Sequence, residues 1–162
     1  MAWDITKFNG EEIVRLAVGI EKEGQKFYEL AAARVEDDEV KKIFQLLAGE
    51  EKQHIIDFEG LGAKLPKEFT PNESYVGEYG DYIKTLIDNH IFNNNNVEKL
   101  VPSVSVAREA LAVAFRFEKD SILIFQELYN LVDDSGKEVL AKLINQEKQH
   151  IKKLATGFIP NN

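Results

Sequence analysis

Five residues occur twice in this chain, and their recurrence restricts the possible folds more than any bulk property does. Glu51-Lys52-Gln53-His54-Ile55 and Glu147-Lys148-Gln149-His150-Ile151 are identical. Each is a Glu-x-x-His within a segment of helical periodicity. Residues three apart share a helix face, so each copy aims a carboxylate and an imidazole the same way. Upstream of each copy lies a helical segment with one glutamate on its apolar stripe. Glu21-Lys22-Glu23 corresponds to Glu118-Lys119-Asp120 at an offset of 97 residues, and the two Glu-x-x-His copies correspond at an offset of 96. A single Glu-x-x-His is a weak signal, because helices are rich in glutamate. The duplication on apolar stripes is a strong one. Without a metal, four carboxylates would be buried with only two histidines as nearby cations, which desolvation opposes. The pattern therefore predicts two helical hairpins closing around Glu21, Glu51, His54, Glu118, Glu147 and His150 as the ligands of a dinuclear metal site.

The spacing of apolar residues predicts four long helices. The first is expected to be capped by Asn9, with Glu11 and Glu12 in its first turn. Its stripe is Ile13, Leu16, Ala17, Ile20, Gly24, Phe27, Tyr28 and Ala31, and Glu21 falls inside it. Glu36-Asp37-Asp38 marks a turn. The second helix carries Val40, Ile43, Phe44, Leu47, Ile55, Phe58 and Leu61 around Glu51 and His54, and Gly60, Gly62 and Pro66 end it. Residues 62–103 interrupt any long periodicity with Pro66, Pro71, Pro102 and the run Asn93-Asn94-Asn95-Asn96. They predict a crossover connection containing a short helix around residues 79–91. The third helix is expected over about 105–132, with Ala107, Leu111, Ala114, Ile122, Phe125 and Tyr129 inward around Glu118. Asp133-Asp134-Ser135-Gly136 predicts a short turn. The fourth helix places Val139, Leu140, Leu143, Ile144, Ile151 and Leu154 inward around Glu147 and His150, and Pro160 closes the chain. The expected class is all-α: a single four-helix domain over residues 1–162, with hairpin 10–61, crossover 62–103 and hairpin 104–156.

Other polar residues sort by position. Glu109 and Glu138 precede Glu118 and Glu147 by nine residues, on the opposite side of their helices, and predict surface positions. Glu23 and Asp120 also point away from the ligand stripe. His90 has no acid at ligand spacing and predicts a surface or packing role. Glu50 and Gln146 directly precede the motif glutamates. Each could accept the outer N–H of a ligand histidine and fix its tautomer, or be an exposed flanking residue. Tyr28 lies seven residues after Glu21 on the same face. Its hydroxyl could serve catalysis by bonding a ligand carboxylate, or it is a core tyrosine with a satisfied hydroxyl.

Composition removes several functions. The chain has no cysteine, which excludes disulfides, iron–sulfur clusters, thiolate zinc sites and thiol nucleophiles. A net charge of −8 argues against a nucleic-acid partner, which requires a basic surface. No signal peptide and no membrane-spanning stretch is visible, so a cytoplasmic protein with no membrane partner is expected.

On these residues the chain resembles the rubrerythrin branch of the ferritin-like superfamily over nearly its whole length. The resemblance rests on Glu21, Glu51-x-x-His54, Glu118 and Glu147-x-x-His150, and on Phe117-Glu118-Lys119-Asp120-Ser121. Tyr28 also sits where that family often has a tyrosine. The resemblance implies a ferritin-like four-helix bundle, a centre of two iron ions, and reduction of hydrogen peroxide or dioxygen. It also implies a homodimer. Manganese or a mixed Fe/Mn pair suits the same donors. Two departures stand out. Rubrerythrins proper carry a rubredoxin-type iron domain on four cysteines, so this chain would draw electrons from an external donor protein. They also have a further glutamate three residues after the third-helix ligand, which exchanges with a histidine as the iron changes oxidation state. Here that residue is Ser121, with Gly24 as its first-half equivalent, leaving the simpler site shared with ferroxidase centres. The expected function is a di-iron oxidoreductase, with ferroxidation or a non-catalytic di-metal module as alternatives.

Overall fold

The computed structural model describes residues 10–64, 77–93, 96–101 and 106–159. The elements in order are α1 (Gly10–Arg34), α2 (Asp38–Gly62), α3 (Glu78–Asp88), α4 (Val97–Leu100), α5 (Ala107–Leu131) and α6 (Asp134–Gly157). The long helices α1, α2, α5 and α6 have 24 or 25 residues each, about 37 Å at the usual rise per residue. These helices contain no proline, so no backbone hydrogen bond is lost along their length. Among the described residues there is no strand. None of the described helices is long and apolar enough to cross a membrane.

The ends of α2 and α6 follow from side-chain capping. Asp37 accepts the backbone N–H groups of Glu39 and Val40, both at 3.0 Å. Asp133 accepts that of Gly136 at 2.9 Å. This corrects one expectation: Asp134-Ser135-Gly136 is not a free turn but the first turn of α6, and Asp133 is its cap. The small polar residues that read as a turn are also the ones that satisfy the orphan N–H groups of a helix start. Asn9, Pro66 and Pro160, expected to mark helix ends, lie outside the described residues.

α1 pairs with α2, α5 with α6, α2 with α6 and α1 with α5, so the four close into a ring around one core. This is a ferritin-like bundle, with a long crossover between α2 and α5. α3 packs on α5 and α4 on α1, which lays the described helices of the crossover along the α1–α5 side. The second short helix, α4, was not expected. Burial of Val97 and Val101 and a 3.0 Å ion pair from Lys26 to Glu98 hold it on α1. Asparagines of the 93–96 run act locally: Asn93 donates to the Ile87 carbonyl at 3.0 Å and Asn96 to that of Ile91 at 2.8 Å.

The inward face of α5 differs in part from its expected stripe. Leu111, Ala114 and Phe125 are buried, but Ala107, Ile122 and Tyr129 are only half-buried, and Ala110, Phe117, Ser121, Ile124 and Leu128 are buried instead. Ile43, Ile55, Val139 and Ile151 are half-buried too. The cause is neighbours on several sides. α5 touches α1, α3 and α6, and its buried arc includes small residues that a search for large apolar side chains passes over. Near the middle of the bundle Phe27, Tyr28, Phe44, Phe92 and Phe117 form one aromatic cluster, with neighbouring centroids 4.9–6.1 Å apart. Each such ring contributes roughly 2–3 kcal/mol by leaving water.

Candidate metal centre

α1 brings Glu21, α2 brings Glu51 and His54, α5 brings Glu118, and α6 brings Glu147 and His150. None of the six is more than 1% exposed. Ligand atoms of Glu51, His54, Glu147 and His150 all lie within 4.8 Å of one another. Both imidazoles turn Nδ1 inward. His54 Nδ1 stands 3.0 Å from Glu21, 3.1 Å from Glu51 and 2.7 Å from Glu147. His150 Nδ1 stands 3.3 Å from Glu118, 3.4 Å from Glu51 and 3.0 Å from Glu147. Glu21 therefore belongs to His54 and Glu118 to His150, while Glu51 and Glu147 reach both. The two rings stack at 5.1 Å with only 9° between their planes.

These close approaches are poorly satisfied as hydrogen bonds. A ring N–H serves one acceptor along its own axis, and His54 Nδ1 spends its bond on Glu21 Oε2. Glu21 Oε1, Glu118 Oε2, both oxygens of Glu51 and Glu147, and His150 Nδ1 are buried without a hydrogen-bond partner. Orphaned buried polar atoms cost about 1–3 kcal/mol each, more for charged groups, and a native fold rarely gathers so many. Converging carboxylate oxygens and imidazole nitrogens are the donor set of first-row divalent cations, so the residues fit a metal pair.

The electrostatics divide the cluster. Burial, and then the charges of Glu51 and Glu147, hold Glu21 and Glu118 well above the ordinary carboxylate range. Burial also pushes Glu51 and Glu147 upward, but the close approach of the His150 and His54 imidazoles outweighs it and leaves both below their ordinary range. Burial disfavours the imidazolium forms, yet the surrounding carboxylates raise His54 and His150 far above theirs.

Around it stand three neighbours. The Tyr28 hydroxyl donates to Glu118 Oε1, and burial, followed by the Glu118 charge, keeps the phenol protonated. His150 Nε2 lies 3.1 Å from Glu50 Oε2, and Lys153 clamps both Glu50 oxygens at 2.5 and 2.6 Å. Of the two readings left open for Glu50, this 3.1 Å approach favours the place beside a histidine over a free exposed flank. Gln146 does not make the equivalent bond; its Oε1 is buried without a hydrogen-bond partner. The third neighbour is Ser121, which accepts from His90 Nε2 at 3.2 Å. The tautomer follows from Phe92, whose N–H donates to His90 Nδ1 at 3.1 Å. His90 is 3% exposed, a packing residue that burial, and then Arg116, keeps neutral, with its pKa lowered to about 3.

Glu109 and Glu138 are exposed, as their phase predicts, and Glu23 and Asp120 are half-buried away from the cluster. Asp120 instead accepts the Ile91 N–H at 3.0 Å and pins the crossover. Sequence reasoning missed Lys153 and the His90–Ser121 pair. Lys153 shares a face with His150 at i,i+3, which was legible. Its partner Glu50 lies on another helix, which was not.

The sequence model of the rubrerythrin family matches residues 12–104, more than half of the chain. The chain belongs to the rubrerythrin family. The matched stretch holds Glu21, Glu51 and His54, and the fold brings Glu118, Glu147 and His150 from outside it to the same cluster. No curated protein and no solved structure matches the chain significantly. Rubrerythrin-family membership and the buried Glu/His group together point to a di-metal site of the di-iron type.

Proposed function

We propose that this rubrerythrin-family chain is a cytoplasmic di-iron oxidoreductase. It reduces hydrogen peroxide or dioxygen with electrons from an external donor protein, and works as a homodimer. The observation that carries this reading is the buried, unsatisfied cluster of four carboxylates and two inward imidazoles. Glu21 and His54 would hold one metal, Glu118 and His150 the other, and Glu51 and Glu147 would be shared. Bound there, a ferrous pair supplies the two electrons that an oxidant needs. Manganese suits the same donors; iron is preferred on the family match.

The protein's part is to bind, orient and shield. Four helices hold the donors on rigid backbone, and full burial excludes bulk water from the site. Tyr28 fixes the orientation of Glu118 through its O–H and keeps a proton beside Oε1. The test is anaerobic loading with ferrous ion, followed by stopped-flow mixing with peroxide and, separately, with dioxygen. Oxidation faster than that of free ferrous ion is expected with at least one oxidant. Failure with both overturns the proposal and leaves a non-catalytic metal module.

A second reading, ferroxidation with iron as substrate, is favoured by Ser121. It is buried against His90 and offers no further carboxylate one turn beyond Glu118. Turnover of many ferrous ions per centre would select it.

A further inference from the structure

The six donors obey a pseudo-two-fold, but the groups behind them do not. At the Glu118–His150 half, the hydroxyl of Tyr28 donates to Glu118, and the outer nitrogen of His150 lies 3.1 Å from a Glu50 carboxylate oxygen. Glu50 is in turn clamped by Lys153 through both oxygens. The Glu21–His54 half has neither support. The residue equivalent to Tyr28 is Phe125, which carries no hydroxyl and packs on Phe58 with centroids 5.1 Å apart. The equivalents of Glu50 and Lys153 are Gln146 and Asp57. Among the described residues, His54 Nε2 is buried without a hydrogen-bond partner, and so is Gln146 Oε1. Asp57 takes its hydrogen bond from Gln53 at 3.1 Å and lies 3.9 Å from Lys142.

A carboxylate on the outer N–H of a ligand imidazole fixes the tautomer and orientation of the ring and makes its inner nitrogen a stronger donor. A neutral amide does this less well, and an absent partner not at all. We infer that the two metal positions are unequal: the position served by Glu118 and His150 fills first and more tightly, with Glu50 and Lys153 as its positioning residues. This rests on the metal-centre reading above and goes beyond it, since an oxidoreductase with two equal positions would satisfy that reading as well.

The test is anaerobic titration of the metal-free protein with cobalt(II) alone, followed by calorimetry and by the visible absorption of the bound ion. Two steps are expected, at least about tenfold apart in affinity. Loss of an outer partner typically costs about 10–100-fold, so Glu50→Gln should weaken the tighter step by that much and leave the other unchanged. Glu50→Asp should recover part of the loss. Gln146→Glu should tighten the weaker step, a gain that damage to the fold does not produce and that decides the matter if Glu50→Gln is unstable. The ligand variants assign the order: His54→Ala should keep the tight step and His150→Ala should lose it. Equal affinities in the parent protein, or equal weakening of both steps in Glu50→Gln, overturn the inference. Cobalt binding in two steps by a protein inert to peroxide and dioxygen supports the inference while overturning the proposed reaction. A parent protein that binds no cobalt overturns both.

Discussion

The hairpins α1–α2 and α5–α6 deliver the same three donors to the bundle centre, yet they are built differently around them. Where the first has Gly24, the second has Ser121; where it has Tyr28, Glu50 and Asp57, the second has Phe125, Gln146 and Lys153. The donors are alike because a metal pair asks the same chemistry of each half. The neighbours face other demands. Gly24 makes room: a Cβ there would stand 2.7 Å from Phe117 Cε1 and closer still to Cζ. Phe117 in turn stacks on Phe92 at 4.9 Å, which seals the crossover onto the bundle. Ser121 needs no such room, and its hydroxyl is bonded to His90. One hairpin supplies the space for the aromatic seal, and the other receives hydrogen bonds from the crossover at Ser121 and Asp120.

The largest way to break the comparison is to remove a shared donor. Glu147→Ala takes an oxygen from both imidazoles and should abolish binding of two metals, whereas Glu118→Ala should spare one. Metal analysis of protein purified without air decides this. Near-full occupancy of two metals in both variants would remove these residues from the ligand set.

Next in size is the response to pH, which the two states should show with opposite sign. In the metal-free protein Glu21 and Glu118 are raised above an ordinary value of 4.5. Their protonated forms stabilise the fold, and that stability declines as pH rises past the unfolded value. His54 and His150 are raised above 6.5. Their contribution is complete below that value and is lost as pH rises through their folded values. Glu51 and Glu147 are lowered, so their contribution is lost on acidification. Metal-free stability should therefore peak at mildly acidic pH and fall toward neutral and alkaline pH. The loaded form should melt higher and lose stability on acidification, as protons compete for the donors. Loading should release protons, because the donors must be deprotonated to bind metal and Glu21, Glu118, His54 and His150 all hold theirs more tightly than usual. Melting curves with and without metal, and proton release into weak buffer, test both. Identical melting of the two forms across pH 5–8 would falsify the buried-cluster reading.

Smaller effects separate the hairpins. Gly24→Ala gains helix propensity but overpacks the Phe117 ring, and should cost a net of about 1–2 kcal/mol. Ser121→Ala removes the hydroxyl that accepts from His90 Nε2 and should cost about 1–2 kcal/mol. Denaturant unfolding measures both, and a stabilised Gly24→Ala would show that Phe117 is free to move. Tyr28→Phe strips Glu118 Oε1 of its donor and should weaken metal binding on that half by about 1 kcal/mol. At the lower limit, Glu109→Ala, on the exposed face, should leave metal content unchanged.

The sequence by itself determined which acids and imidazoles share an inward face, the helices that carry them and the all-α class. A repeated Glu-x-x-His and a 3.6-residue stripe are local patterns, and helix geometry converts them directly into a shared face. Hairpin pairing and the need for a crossover were legible too, from short acidic links at one place and a long aperiodic segment at another. What lay beyond reach was which particular partner each side chain meets across the helices. The Glu50–Lys153 clamp joins residues 103 apart, and Tyr28 reaches Glu118 across 90. No periodicity encodes such pairs. The buried arc of α5 was set by three neighbouring elements rather than by its own apolar residues, so small Ala110 and Ser121 went inside while Ile122 stayed half out. Local spacing fixes which face a side chain takes. Only packing fixes what it meets there, and with that whether two like donors share the same surroundings.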